Sequence, residues 1–390
     1  MSDYMPVEVI LGILQRLPVK SLVKCRSVCK TWNTLICDPS FISTHLQASL
    51  STPPINTPFL LFRYEKNSPK LYSLHYDNDG FDEFKQLRFS PFACVSDFVV
   101  LGSCNGLLSL ILLPGYLLNF LLWNPSIQKY ISLPKPSISE VVELNVGFGF
   151  DSRTNYYKLF LVEVEEDGSW NKPCLFSLNE NCWKRVAATP PNYTFDDVTG
   201  ISLHFVNGAV HWLGYQNRND NGYLNAIWGF DLSAEVFFEI SLPESLIGLW
   251  PMVLLIMKYG ESSIAVSTRP MYDENELWVM KEYGVAESWT KVLAFHSNRR
   301  GFPIVSGFRK NGQVLLLVDY EELASLDLNC QQMEPRGVKV GTRLFRVEGN
   351  YVESLVLLDK GVDVPSLSLV NLAIDSSDYD ESSGEESDMA

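Results

Sequence analysis

The 390-residue sequence holds only five histidines, and no two of its eight cysteines form a CxxC pair. The cysteines stand at 25, 29, 37, 94, 104, 174, 182 and 330, which fits neither a zinc ribbon nor a thioredoxin-like redox motif. No GxSxG nucleophile elbow is present, and so few histidines leave little from which to build a hydrolytic triad. Positive charge is short as well. Against 46 Asp and Glu there are 31 Lys and Arg, a net charge of −15 that argues against non-specific nucleic-acid binding. The opening residues MSDYMPVEVILG lack the basic segment, apolar run and cleavage site of a signal peptide. Reduced thiols in the cytoplasm or nucleus are therefore expected.

Charge is missing altogether between Phe98 and Gln128, FVVLGSCNGLLSLILLPGYLLNFLLWNPSIQ. A spanning helix needs about 20 apolar residues. Here Gly102, Asn105-Gly106 and Pro114-Gly115 cut the run into strand-length pieces. Buried strands are predicted, and no membrane association.

What is present at the N-terminus has a different character. Pro6 suits a first helical turn, and Val7, Ile10, Leu11, Leu14 and Leu17 then fall on one apolar face. Val9 and Ile13 form a second stripe, so this helix is predicted to be buried on two sides. Pro18 stops it or starts a second helix, to about Arg26, with Val19, Leu22 and Val23 apolar. A third is predicted from an N-cap at Ser27, with Val28, Cys29, Trp32, Leu35 and Ile36 apolar, ending at Asp38-Pro39. One further turn covers Phe41 to Leu46. No acid interrupts Arg16, Lys20, Lys24, Arg26 and Lys30 between Glu8 and Asp38. Such a short module lies near the lower limit for independent folding, and its apolar surplus points to a partner surface or to the rest of this chain.

The stretch MPVEVILGILQRLPVKSLVKCRSVCKTWNTLICDPSFISTHL closely resembles the F-box, in its plant form. The resemblance rests on Pro-x-Glu from Pro6, Ile-Leu-x-Arg-Leu-Pro from Ile13, Lys-Ser-Leu from Lys20, Cys-Arg-Ser-Val-Cys-Lys-x-Trp from Cys25 and Asp-Pro-x-Phe from Asp38. Met5 stands where a leucine is usual. The resemblance implies docking to a Skp-type adaptor and, through it, to a cullin and a RING protein. It carries over Pro6, Ile10, Leu14, Leu17, Pro18, Leu22, Val28, Trp32 and Leu35 as adaptor-binding or F-box core positions.

Beyond residue 50 the helical period gives way to short β-branched and aromatic runs between turns. Turn signals at Asn56, Asn105, Asn155, Asn207, Gly260 and Asn311 differ by 49, 50, 52, 53 and 51 positions. In step with them, a large residue follows a polar turn at Tyr130, Trp183, Phe237, Trp289 and Met333, spaced 53, 54, 52 and 44 apart. A period near 50 with about four strands per unit predicts a kelch-like β-propeller. Six blades are expected, with seven as the alternative, and VESLVLLDKGVDV is predicted to close the ring against the first blade. This half resembles the F-box-associated region of plant F-box proteins, through SCNGLL, WNPS, GFGFDSRTNYYKL, VNGAVHWL and FDLSAEVFFEISLP.

Little else suggests chemistry. His204 and His211 flank the Asn207-Gly208 turn and would face each other, but no third ligand lies nearby, so a packed pair is expected and no metal. Gly147 and Gly149 lack a third glycine and a following helix, and read as close packing near the propeller axis. Glu165-Glu166 and Glu321-Glu322 read as solvated turns. The last residues, DSSDYDESSGEESDMA, carry seven acids and no base, a disordered composition in which Ser377, Ser382 and Ser383 suit an acid-directed kinase.

Together these expectations describe an F-box domain over 1–47, a recognition propeller over 55–365 and an acidic tail over 374–390. The resemblance implies a non-catalytic receptor subunit of a Skp–cullin–F-box ubiquitin ligase, without cofactor, bringing an unidentified target protein for ubiquitination. The alternative is an F-box scaffold or regulator that binds the adaptor without target turnover. The loops 190–200 and 215–223 are candidates for target contact.

Overall fold

The computed structural model describes residues 5–51, 59–65, 70–88, 98–112, 119–137, 143–164, 173–195, 202–217, 222–269, 274–296, 303–319, 322–330, 332–339 and 344–363. Four helices fill residues 7–50. Pro6 and Pro18 stand at the N-caps of α1 (Val7–Leu14) and α2 (Val19–Cys25), where no N–H is required of them. α3 (Lys30–Ile36) begins later than predicted. Its cap is Cys29, whose Sγ accepts the Trp32 N–H at 3.4 Å, while the Ser27 hydroxyl donates back to Lys24 O at 2.7 Å. The single turn predicted after Asp38 is in fact a helix, α4 (Pro39–Leu50). Asp38 accepts the Ser40 N–H at 2.8 Å, so Asp-Pro ends one helix and caps the next.

The remainder is a ring of blades. The first contains β1 (Phe59–Glu65), β2 (Lys70–Tyr76) and β3 (Glu83–Leu87). The second contains β4 (Phe98–Cys104), β5 (Leu107–Leu112), β6 (Asn119–Asn124) and β7 (Lys129–Ser132). The third contains β8 (Glu143–Asp151), β9 (Tyr156–Val164), β10 (Cys174–Ser177) and β11 (Cys182–Arg185), and a short β12 (Thr194–Phe195) follows. The fourth contains β13 (Ser202–Val206), β14 (Ala209–Asn217), β15 (Tyr223–Asp231) and β16 (Val236–Ile240). The fifth contains β17 (Leu254–Tyr259), β18 (Ser263–Thr268), β19 (Glu274–Met280) and β20 (Trp289–His296). The sixth contains β21 (Ile304–Phe308), β22 (Val314–Val318), β23 (Glu322–Leu326) and β24 (Met333–Lys339), and β25 (Leu344–Tyr351) and β26 (Val362–Asp363) complete the order. The uncharged run from Phe98 is thus β4, β5 and β6, and no helix among the described residues is long and apolar enough to cross a membrane.

The predicted turns join the first and second strands of five blades. Asn105-Gly106 and Asn207-Gly208 take positive φ at both positions, the geometry of a type I′ hairpin. Asn155 and Gly260 are also left-handed, and in the sixth blade Gly312 rather than Asn311 takes that role. Asn56 lies outside the described residues, ahead of β1. Each of the five large repeated residues sits on the fourth strand of its blade. Two of them staple blades together. Trp183 Nε1 donates to Pro134 O at 2.7 Å and Trp289 Nε1 to Ser241 O at 2.9 Å, in each case to the chain leaving the preceding blade.

Closure differs from the prediction. β25 pairs antiparallel with β1, so the chain end supplies the missing strand of the first blade and the ring has six blades, not seven. A buried Arg63–Glu348 ion pair at 3.1 Å bridges the two strands. The described part of VESLVLLDKGVDV, residues 352–363, ends instead on the second blade, where β26 pairs with β7. Close packing at the glycines is as expected. A Cβ on Gly147 would stand 2.5 Å from the Val210 side chain, and one on Gly149 2.2 Å from the Phe205 ring. Both contacts reach from the third blade into the fourth, whose inner strands β8 and β13 also pair in parallel. Glu322 opens β23 rather than lying in a turn, whereas Glu165, Glu166 and Glu321 fall outside the described residues.

Candidate docking module

The four helices build a core that they do not own alone. Leu14, Val19, Leu22, Ile36, Phe41, Ile42 and Leu46 are buried in one cluster with Ile111 and Phe120 of the second blade, Phe148 and Leu161 of the third, and Leu355 to Leu358. His45 contributes a polar tie: its Nε2–H donates to Leu17 O at 2.9 Å, holding the link between α1 and α2. Burial of the ring pushes its pKa down, so the neutral imidazole is the resident form.

The segment between β25 and β26 is the joint. Asn124, at the end of β6, donates through Nδ2 to Ser354 O at 2.9 Å and to Val356 O at 2.8 Å. Tyr351 shares a 2.6 Å hydrogen bond with the Ser126 hydroxyl, and Lys129 Nζ donates to Gly361 O at 2.8 Å. Gly106 allows this close approach, since a Cβ there would stand 2.4 Å from Ser354 Oγ. On the helical side, Lys20 acts on the Glu353 carboxyl: burial raises that pKa, and Lys85 and Lys20 oppose the rise. The motif WNPS thus has a physical role that its residue types do not announce, because Asn124 anchors chain 230 positions away.

The outward side of the module is apolar and uncovered. Met5, Val7, Val9 and Ile13 are 50%, 43%, 47% and 46% exposed, and Val28 is 63% exposed. The expectation that α1 is buried on two sides therefore holds within this chain for one side only, and on that side Val7, in the first turn, is exposed rather than buried. Arg16, Lys20, Lys24 and Lys30 of the same module are exposed as well.

The histidine pair is structural. His204 and His211 are register partners across the β13–β14 hairpin, and His211 is fully buried. Its ring contacts His204 O at 3.2 Å and Tyr283 OH at 2.8 Å, the latter in the next blade, and burial pushes its pKa down to about 4. Among the described residues no group of three or more His, Cys, Asp or Glu is placed to hold a metal ion. Of the two candidate loops, 190–195 leads into β12, which pairs with β14, while 196–201 and 218–221 lie outside the described residues.

Comparison with known proteins agrees with this geometry. A family model described as "F-box associated beta propeller domain" matches residues 60–322, more than half of the chain, and an "F-box-like" model matches residues 3–47. The chain belongs to the F-box proteins with an associated propeller. It is 30% identical to the F-box protein CPR1 of Arabidopsis thaliana, over 91% of this chain and 89% of that one. It is 24% identical to the Arabidopsis F-box/kelch-repeat protein At3g23880, over 74% and 79% of the two chains. Among solved structures, TolB from Acinetobacter baumannii aligns with 81% of this chain and 73% of that one, at 10% identity and a TM-score of 0.44, which adds nothing to the assignment.

Within the F-box, the nine positions carried over from sequence separate into groups. Leu14 and Leu22 are fully buried. Ile10, Leu17 and Trp32 are partly buried against the same core, and Leu35 is half-buried. Pro6, Pro18 and Val28 are exposed. Met5, Val7, Val9 and Ile13 complete the exposed set but were not among the nine. The i, i+4 spacing of Val9 and Ile13 was their signal.

Proposed function

We propose that this F-box protein is the receptor subunit of a Skp–cullin–F-box ubiquitin ligase. The observation that carries the reading is the uncovered apolar row on α1. That helix already packs Ile10, Leu11 and Leu14 against the core, so the second row of Met5, Val9 and Ile13 is unexplained by the fold of this chain alone. Exposed apolar rows of this kind favour a partner surface. In this reading Pro6, Pro18 and Val28, together with Met5, Val7, Val9 and Ile13, meet a Skp-type adaptor. Ile10, Leu17, Trp32 and Leu35 back them, and Leu14 and Leu22 hold the helices in place. The exposed lysines steer an acidic adaptor surface more than they add affinity.

The propeller brings a target protein, and the adaptor links the chain to a cullin and a RING protein. The chain itself performs no chemistry; it supplies proximity between target and ubiquitin-charged enzyme. The joint at Leu355–Leu358 supports this role because it packs F-box and propeller into one apolar cluster, which sets the direction in which a bound target is presented. We place the docking domain at 1–47, with α4 continuing to Leu50, the recognition domain at 55–365 and an acidic segment at 374–390, in the cytoplasm or nucleus.

The test is turnover. Proteins that co-purify with the chain are expected to accumulate when the proteasome is inhibited, and equally when a Val9→Asp/Ile13→Asp chain replaces the wild type. Unchanged half-lives in both conditions leave the scaffold alternative in its place.

A further inference from the structure

The F-box carries a run of bases uninterrupted by any acid between Glu8 and Asp38. Lys20 and Lys24 stand one helical turn apart on α2, and Lys30 opens α3. All three are exposed, and none has a carboxylate within ion-pair distance among the described residues. Val19 and Leu22, on either side of Lys20, pack in one cluster with Leu355 to Leu358, which places α2 beside the joint.

The joint leads directly to the most acidic segment of the chain. Ten residues beyond Glu353 the described chain reaches Asp363, paired with Lys129 on the edge of the second blade, within about 36 Å of Glu353 at full extension. The first of the seven tail acids, Asp375, follows twelve residues later. Twelve residues span about 40 Å when extended and about 20 Å as a coil. Extended, that linker covers the distance back to the joint, so the acidic segment is tethered within reach of Lys20, Lys24 and Lys30.

We propose that the segment Asp375–Asp388 docks on the Lys20–Lys24–Lys30 strip of its own F-box and competes there with any acidic partner surface. A tether of this length gives an effective concentration of the order of millimolar. Even a contact of millimolar affinity is then occupied about half the time, and an incoming partner must displace it. Screening limits the contact, because the Debye length is about 8 Å at physiological salt. The competition rests on the docking role assigned to the F-box above; the intramolecular contact does not.

Zero-length carbodiimide cross-linking of the full chain, followed by peptide mapping of the monomer band, tests the contact without any partner. Links from Lys20, Lys24 or Lys30 to acids within 375–388, lost at about 0.5 M salt, are expected. Absence of such links, links spread over propeller lysines, or links between copies overturn the proposal. A second arm uses purified Skp-type adaptor. Replacing the seven acids with Asn and Gln is expected to strengthen binding about 2-fold; unchanged affinity overturns the competition. A chain that binds no adaptor at all counts against the ligase reading, and the cross-linking result still decides the contact.

Discussion

The two faces of α1 are made of the same kinds of residue and meet opposite fates. Leu14 is fully buried and joins a cluster that reaches into the second and third blades, whereas Val9 and Ile13 remain nearly half exposed. In the propeller such contrasts are confined to outer strands and strand ends, such as Val236 against Ile240 on β16. The inner strands are buried on both sides because each blade is walled by the next, as in β5, where every residue is buried. A strand in a closed ring has neighbours on both sides by construction. A short helix on the rim of that ring has a neighbour on one side only, so apolar residues on its other side are retained for something outside the chain.

That contrast can be broken most forcefully at ring closure. Arg63→Met leaves the Glu348 carboxylate buried without its cation and is expected to cost about 3–5 kcal/mol of propeller stability in a denaturant titration. A loss under about 1 kcal/mol would mean that β25 is not held by this pair. Next comes the helix itself. Leu14→Ala should cost about 2–5 kcal/mol, while Val9→Ala and Ile13→Ala should each stay within about 0.5 kcal/mol. Equal costs at the three positions would erase the distinction between the faces.

A third effect of about 3 kcal/mol is set by pH. His211 has its folded-state pKa depressed to about 4, below the ordinary 6.5, so the unfolded chain binds the extra proton. Its contribution is complete above about pH 6.5 and is lost as the pH falls towards 4. His211→Asn should flatten that part of the stability profile relative to wild type; parallel profiles would show that the ring does not titrate there. The smallest effect belongs to the rim. Lys24→Ala should slow adaptor association at low salt, with less than about 1 kcal/mol lost in affinity, as surface-plasmon kinetics would report.

Much of this was legible because turn geometry has strict residue requirements. Positive φ at Asn105, Asn155, Asn207 and Gly260 is what glycine and asparagine tolerate, so the period of the propeller surfaced at its turns. The closing strand was hidden for an electrostatic reason. LFRVEGNY carries Arg346 and Glu348 and reads as exposed, but Glu348 is buried against Arg63, a partner nearly 300 residues away in sequence. The apolar VESLVLLDKGVDV drew the closing role instead, although its leucines serve the joint with the F-box. At the F-box, Asp-Pro reads as a stop and so conceals the helix it caps, α4, while the cap of α3 is a cysteine, a residue type that does not signal a helix start. The site residues were legible as a family pattern, but their division into buried and exposed depends on packing against Leu355–Leu358, which no local pattern encodes.

The central claim is that the outward face of α1 exists for a partner. The direct measurement is the affinity of the full-length chain for a purified Skp-type adaptor, wild type against Val9→Asp/Ile13→Asp, with circular dichroism confirming that both chains are folded. The loss of even one apolar anchor worth about 2 kcal/mol weakens binding about 30-fold, so the variant should bind at least that much more weakly at unchanged stability. Undiminished affinity in a folded variant would contradict the account, and would place the adaptor, if it binds, on another surface.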